Sequence, residues 1–240
     1  MKPIPDLAPN TGWRDIAIEP VDEPLARIDE LHPRIFDRPR YVQWGVPQAL
    51  PESWVRRGVG ERLVRVVESL SSDRALIVWD GYRPLAVQAA LFDDWEGRLR
   101  REHPLWGDDQ IYAQASRFVT PPSDDPTAPP PHLTGGAVDL TLGDDAGVPI
   151  DMGTDFDAFV DEAHALALEN SPCDARDSRR TLFWAMHDAG FTGYAEEWWH
   201  FDFGDQFWGL ATNHPARYGP ARLDAGAQDE DDTLAQTDAR

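Results

Sequence analysis

A single cysteine, Cys173, stands in 240 residues. That excludes an intrachain disulfide and any cluster of thiolate ligands around a metal. Lysine is as scarce: Lys2 is the only one, and arginine carries the rest of the positive charge. The formal net charge of −21 argues against nucleic acid, whose phosphates need clustered Lys and Arg, and against anionic membrane surfaces. Its ordinary consequence is solubility. No run of about 18 consecutive apolar residues is present, so no spanning helix is expected. The opening MKPIPDLAPNTGWRD lacks the apolar stretch of a signal peptide. Together these absences lead to the expectation of a cytoplasmic protein with no nucleic-acid or membrane partner.

What is present suits one folded unit. A hydrophobic share of 41% is usual for a globular chain, and the length can bury a sizeable core. Residues 1–55, rich in proline and charge, read as an irregular N-terminal segment of the domain. Residues 56–222 carry the core. Residues 223–240 (LDAGAQDEDDTLAQTDAR) are acidic and poor in large apolar side chains, the composition of a disordered tail.

Periodicity places the elements. Val59, Leu63, Val66, Val67 and Leu70 form a helical stripe, and 75-ALIVW-79 reads as a buried strand ending in 80-DGYRP-84. Pro84 suits the first turn of a helix that would bury Val87, Ala90, Leu91 and Trp95. The proline-dense 120-TPPSDDPTAPPP-131 lacks backbone donors and reads as a stiff surface loop. In 135-GGAVDLTL-142, Val138, Leu140 and Leu142 alternate with Ala137, Asp139 and Thr141, as in a strand. Helical patterns follow around 155–169 and 179–189.

Seven histidines are available as ligands. His164 and His187 lie in helical patterns, while His103 and His214 precede prolines in polar loops. His132 differs, because Gly135 and Gly136 let the chain turn tightly and bring the ring back beside Asp139. The stretch 194-YAEEWWHFDFG-204 sets Glu197 and His200 among tryptophans. On a regular strand Trp198, His200 and Asp202 share one face and Glu197 lies opposite. For Glu197 and His200 to meet at one point, the chain must bend or bulge near Glu197. Asp80 and Arg83 stand at a strand end, where either a structural ion pair or a functional site would fit.

In order along the chain, WDGYRP (79–84), HLTGGAVDLTL (132–142), MGTDFD (152–157) and EWWHF (197–201) resemble the motifs of the D-alanyl-D-alanine dipeptidases, the VanX-like branch of the zinc peptidases. The resemblance spans about 75 to 205 and implies a compact α+β domain whose antiparallel sheet carries Zn²⁺. It implies His132, Asp139 and His200 as zinc ligands and Glu197 as the general base toward a water activated by the metal. Arg83 would stabilise the transition state, and Asp157 would hold the free amino group of a small dipeptide. Two imidazoles and one carboxylate leave positive charge on zinc, which suits that chemistry, though the set also suits other divalent ions.

Two departures touch substrate contacts. Pro130 and Pro131 precede His132 where the family usually has a serine nearby. In 27-RIDELHPRI-35, His32 stands about where related members carry a tyrosine. The expected activity is hydrolysis of D-Ala-D-Ala or a similar D,D-dipeptide. The alternatives are a D,D-carboxypeptidase or another cell-wall peptidase, or a zinc-binding module without turnover. A purely structural zinc site would need neither Glu197 nor Arg83.

Overall fold

Five strands form the sheet that organises this chain, in the order β2-β4-β5-β7-β6. The structure, a computed structural model, describes residues 2–223. A small antiparallel pair, β1 (Leu25–Arg27) with β3 (Trp54–Arg56), stands apart from the main sheet. In that sheet β2 (Ile35–Asp37) runs parallel to β4 (Arg74–Asp80). The pairings of β4 with β5 (Ala137–Asp144), β5 with β7 (His200–Asp202), and β7 with β6 (Thr192–Gly193) are all antiparallel. The fold is thus α+β, with one parallel edge on an otherwise antiparallel sheet.

Six α-helices accompany the strands among the described residues: α1 (Arg40–Gln43), α2 (Arg57–Ser69), α3 (Leu85–Glu102), α4 (Asp108–Phe118), α5 (Asp174–Asp188) and α6 (Gln206–Thr212). Helix α2 buries Val59, Leu63, Val66 and Val67, and α5 buries Leu182, Phe183 and Met186, in the core beneath the sheet. Val138, Leu140 and Leu142 meet them from β5. Each fully buried side chain of this size contributes about 1.5–3 kcal/mol, so this face anchors the sheet. The other face of β5 carries Asp139.

Helices α3 and α4 have a separate small core of Phe92, Leu99, Ile111, Ala115 and Val119. Pro84 is the N-cap of α3 rather than a residue of its first turn, and its carbonyl accepts from the N–H groups of Val87 and Gln88. Ala90, Leu91 and Trp95 are only half-buried, because they line a cavity, Leu91 and Trp95 while also packing against this small core. The proline-dense segment has no regular structure up to residue 130, and its final residues, 128–131, are buried. No helix among the described residues is long and apolar enough to cross a membrane. The expected acidic tail lies, from residue 224 onward, outside the described residues.

Around 155–169 the expected helix is absent. The segment holds only a short 3-10 turn, Asp161–Ala163. Two observations explain this. Asp157 adopts a left-handed backbone, φ 55°, which an L-residue helix cannot continue. The segment's polar backbone groups also go elsewhere: Ala165 N–H donates to Ala195, and Ala163 accepts from Trp198 N–H. Arg179, buried on α5, donates to the carbonyls of Met152, Glu162 and His164 at 2.6, 2.9 and 2.9 Å. Burial pushes its pKa down to about 10, still leaving it charged at neutral pH.

One guanidinium thus satisfies three carbonyls, two of which, those of Glu162 and His164, a helix over 155–169 would have satisfied internally. Arg179→Met should lower the unfolding free energy by about 3 kcal/mol or more, since each stranded carbonyl costs about 1–3 kcal/mol. Urea denaturation measures this. Lysine should rescue only part of the loss, because one ammonium cannot reproduce the forked geometry.

Candidate functional site

The register of the sheet assembles the site. Asp80, at the end of β4, is the cross-strand partner of Asp139 on β5, and Asp139 is the partner of His200 on β7. Three polar side chains from residues far apart in sequence therefore stand side by side across three strands. A register shift between Val78 and Asp80 re-aims the end of β4, as such irregularities commonly do beside a site.

His132 enters from the 3-10 turn Pro131–Thr134, just ahead of β5. Gly135, at φ 71°, closes that turn in the left-handed region, which glycine occupies without strain. Gly81 then permits a close backbone approach, because a Cβ there would collide with the Trp54 carbonyl. The Gly81 carbonyl lies 2.8 Å from His132 Nδ1.

Three donor atoms converge. His132 Nε2 lies 3.2 Å from His200 Nδ1, His200 Nδ1 lies 3.0 Å from Asp139 Oδ1, and His132 Nε2 lies 3.4 Å from Asp139 Oδ2. All three residues are buried. Ligands held at about 2.0–2.1 Å in a tetrahedron around zinc would stand about 3.3 Å from one another, so the spacing fits. The outer ring nitrogens are tied off. His132 Nδ1–H donates to the Gly81 carbonyl, and His200 Nε2–H donates to Asp202 Oδ1 at 2.8 Å. Each bond fixes the tautomer that turns the inner lone pair toward the common point. Burial alone would raise the Asp139 carboxyl, but His132 and then His200 hold it well below the usual carboxylate range.

Glu197 and Arg83 line the same cavity as these donors. The strand begins only at His200, after a bend at 195–196 and a turn at 198–199, so the alternation of a regular strand does not apply to Glu197. Trp198 N–H to Ala163 and Leu140 N–H to Trp199 pin the bend from both sides. Glu197 is 8% exposed. Burial first, then the charges of Asp139 and Asp157, push its carboxyl well above the usual range, while His200 and Arg83 act against that rise.

Arg83 is equally enclosed. Its Nε donates to Asp80 at 2.8 Å, Nη1 to Gln88 Oε1 at 2.9 Å, and Nη2 to the Tyr41 hydroxyl at 3.2 Å and to Asp139 at 3.4 Å. Burial opposes its charge, yet Tyr41 and the carboxyls of Asp80, Asp139 and Asp157 raise its pKa above the ordinary value. The Asp80–Arg83 pair is thus a structural ion pair and part of the site at once.

All six residues singled out from the sequence meet around one cavity of about 660 Å³: His132, Asp139, His200, Glu197, Arg83 and Asp157. His164 does not join them and sits 3.1 Å from Glu196; His187 and His214 are exposed. Sequence reasoning misses Tyr41. Its hydroxyl donates to Asp157 Oδ2 at 3.0 Å and accepts from Arg83. The segment that brings a tyrosine to the site is therefore 37–41. His32 lies elsewhere, its Nδ1 accepting from Arg34 N–H. No spacing signal in RPRYVQW marks Tyr41, whereas the Asp202 carboxylate, two residues beyond His200 on the same strand face, could have been read as its partner.

A family model described as D-ala-D-ala dipeptidase matches residues 65–218. A D-alanyl-D-alanine dipeptidase of Synechocystis sp. (strain ATCC 27184 / PCC 6803 / Kazusa) is 33% identical over 227 residues, covering 83% of this chain and 90% of the relative. One of Enterococcus faecium is 31% identical over 154 residues, 62% of this chain and 72% of the relative. Among solved structures, VanYB in complex with D-alanine-D-alanine overlays 67% of this chain and 78% of its own, at 15% identity and a TM-score of 0.43.

Asp157 offers a test of the electrostatics. Burial first, then the charge of Asp139, pushes its carboxyl up to about 7, against the opposing pull of Arg83 and Tyr41. Unfolded, it ionises near 4. Folding thus favours the protonated form, and stability falls as pH rises from about 4 to about 7, remaining lower above that. Asp157→Asn should raise the Tm of metal-free protein at pH 8 and leave it nearly unchanged below pH 4, with an upper limit of about 4 kcal/mol. Asparagine can still accept from Tyr41 and tolerates the left-handed backbone. An unchanged or lower Tm at pH 8 would show that Asp157 carries no such penalty.

Proposed function

Because the chain belongs to the D-Ala-D-Ala dipeptidase family, we propose that it hydrolyses D-Ala-D-Ala, or a similar small D,D-dipeptide, with a divalent cation, zinc first, held by His132, Asp139 and His200. The observation that carries this reading is the trio of donors 3.0–3.4 Å apart with both outer ring nitrogens already hydrogen-bonded. A cation in that set supplies Lewis acidity, polarising a carbonyl oxygen and making a water acidic near neutrality.

The remaining roles fall to side chains of this chain. Glu197 takes a proton from the attacking water as its oxygen bonds to the peptide carbonyl carbon. It then delivers that proton to the leaving amine as the C–N bond breaks, giving two amino acids per dipeptide and water. Its raised pKa brings it nearer the operating pH, where a group that both accepts and returns a proton works best. Arg83 directs planar donors at the negative oxygen that develops on the carbonyl. Tyr41 and Gln88 hold its guanidinium in place. Asp157, steadied by Tyr41, pairs with the substrate's free ammonium. That ion pair selects a free amino terminus, and the substrate's charge draws the Asp157 proton off. A cytoplasmic location would suit an enzyme that removes such dipeptides before they enter cell-wall precursors, or recovers D-alanine from them.

One observation favours a second reading, that of a carboxypeptidase for a longer cell-wall peptide. The cavity lies within the roughly 300–1,000 Å³ that holds a drug-sized ligand, more room than a dipeptide of two alanines fills. Assay of released D-alanine separates the two. The dipeptidase should cut D-Ala-D-Ala and spare both its N-acetyl derivative and the muramyl pentapeptide. Equal cleavage of dipeptide and pentapeptide would establish the carboxypeptidase instead.

Substitution tests the roles. Glu197→Gln should keep metal and lose roughly 10²–10⁴-fold in kcat, read from turnover alongside metal content. His132→Ala should lose metal and activity together. Unchanged turnover in Glu197→Gln would remove Glu197 from the mechanism.

A further inference from the structure

No hydrogen bond reaches the Glu197 carboxyl among the described residues, so its aim depends on the main chain that carries it. That chain is tied at residues on either side. Tyr194 N–H donates to the His200 carbonyl at 3.3 Å, Ala195 accepts from Ala165 N–H at 3.0 Å, and Trp198 N–H donates to Ala163 at 3.0 Å. Between these ties the backbone groups of residues 196 and 197 make no hydrogen bond among the described residues. What holds this stretch is a side chain, the carboxylate of Glu196.

Glu196 Oε2 accepts from Arg117 Nε at 2.8 Å and lies 3.1 Å from His164 Nε2. Arg117 is itself fixed. It stands in the last turn of α4, its Nη2 lies 2.9 Å from His164 Nε2, and its carbonyl accepts from the Tyr194 hydroxyl at 3.1 Å. One residue of α4 thus grips the bend before Glu197 at two points, by its main chain at Tyr194 and by its guanidinium at Glu196. The Arg117 side chain also borders the cavity that Glu197 lines.

We propose that Arg117 and Glu196 are positioning residues, whose ion pair fixes the peptide unit carrying Glu197 and so the direction of its carboxyl. This rests on the reading of Glu197 as the general base. A proton acceptor must first be in reach of the proton it takes, and a displacement of about 1 Å in a catalytic group can cost about 10²-fold in rate. The guanidinium presents Nε and Nη2 from one rigid plane, so it sets direction as well as distance. Stability gives the pair little reason to exist. Both side chains are half-buried, and ion pairs open to solvent add little to folding.

A double-mutant cycle on D-Ala-D-Ala hydrolysis by the zinc-loaded protein tests the pair. Arg117→Met and Glu196→Met should each lower kcat by roughly 10–100-fold and leave KM within about threefold of the parent. The double variant should lose no more than either single one, because both substitutions remove the same interaction. Zinc affinity should be unchanged, and Tm should fall by no more than about 2–4 °C. Glu196→Gln keeps an oxygen for Arg117 Nε and should recover most of the kcat lost in Glu196→Met.

Parental kcat in folded Glu196→Met would overturn the proposal. So would losses that add in the double variant, or a raised KM confined to Arg117→Met, which would make that arginine a contact for substrate instead. If the methionine variants do not fold, a loss of about tenfold or more in folded Glu196→Gln decides against it. Unchanged turnover in Glu197→Gln would overturn the assignment of the base, and the positioning role with it.

Discussion

Buried carboxyl groups persist only where each finds a donor or a cation, and the centre of this protein is arranged around that constraint. Asp80, Asp139, Asp157 and Glu197 gather around one enclosed guanidinium, that of Arg83. They divide into two kinds. Asp139 is held below the usual carboxylate range by the imidazoles of His132 and His200. Asp80, Asp157 and Glu197 are driven toward the neutral form by burial, against the pull of Arg83. This separation of carboxyls with different proton affinities is what lets neighbouring acids take unlike roles.

The sheet is what makes so costly a cluster possible. Antiparallel pairing puts Asp80, Asp139 and His200 in cross-strand contact, and the apolar face of β5 beneath them is locked by α2 and α5. The site is therefore mounted on strand ends whose positions are set by core packing. Only Glu197 sits on irregular backbone, and there the main chain is pinned by Ala163 and Leu140. The Ala163 contact depends on the irregular 152–165 stretch that Arg179 holds open. A helix in its place would leave Trp198 without its backbone acceptor.

Much of this is legible in the order of the amino acids alone. The alternation of 137–142 marks the strand and puts Asp139 on the face opposite Val138 and Leu140, because a two-residue repeat has only one way to bury its apolar half. The glycines after His132 mark the return of the ring toward that strand. The need for a bend before His200 follows from the same periodicity. Less legible is whatever depends on distant contacts. Tyr41 acquires its place from the parallel edge of the sheet, which no local pattern announces. The spacing of Phe156 and Phe159 mimics a helix because aromatic packing against Trp79, Trp95 and Phe118 uses those two positions, while Val160 is exposed.

The strand order β2-β4-β5-β7-β6 carries a consequence for how the molecule is made. The hydroxyl that steadies Arg83 and Asp157 comes from position 41, beside the first strand of the sheet, while the support behind His200 comes from position 202. Contacts spanning so much of the chain form late, because a long loop must close before they add any stability. A nascent or partly unfolded chain would therefore hold separate fragments of the pocket and none of its chemistry. Turnover becomes a reporter of complete tertiary assembly.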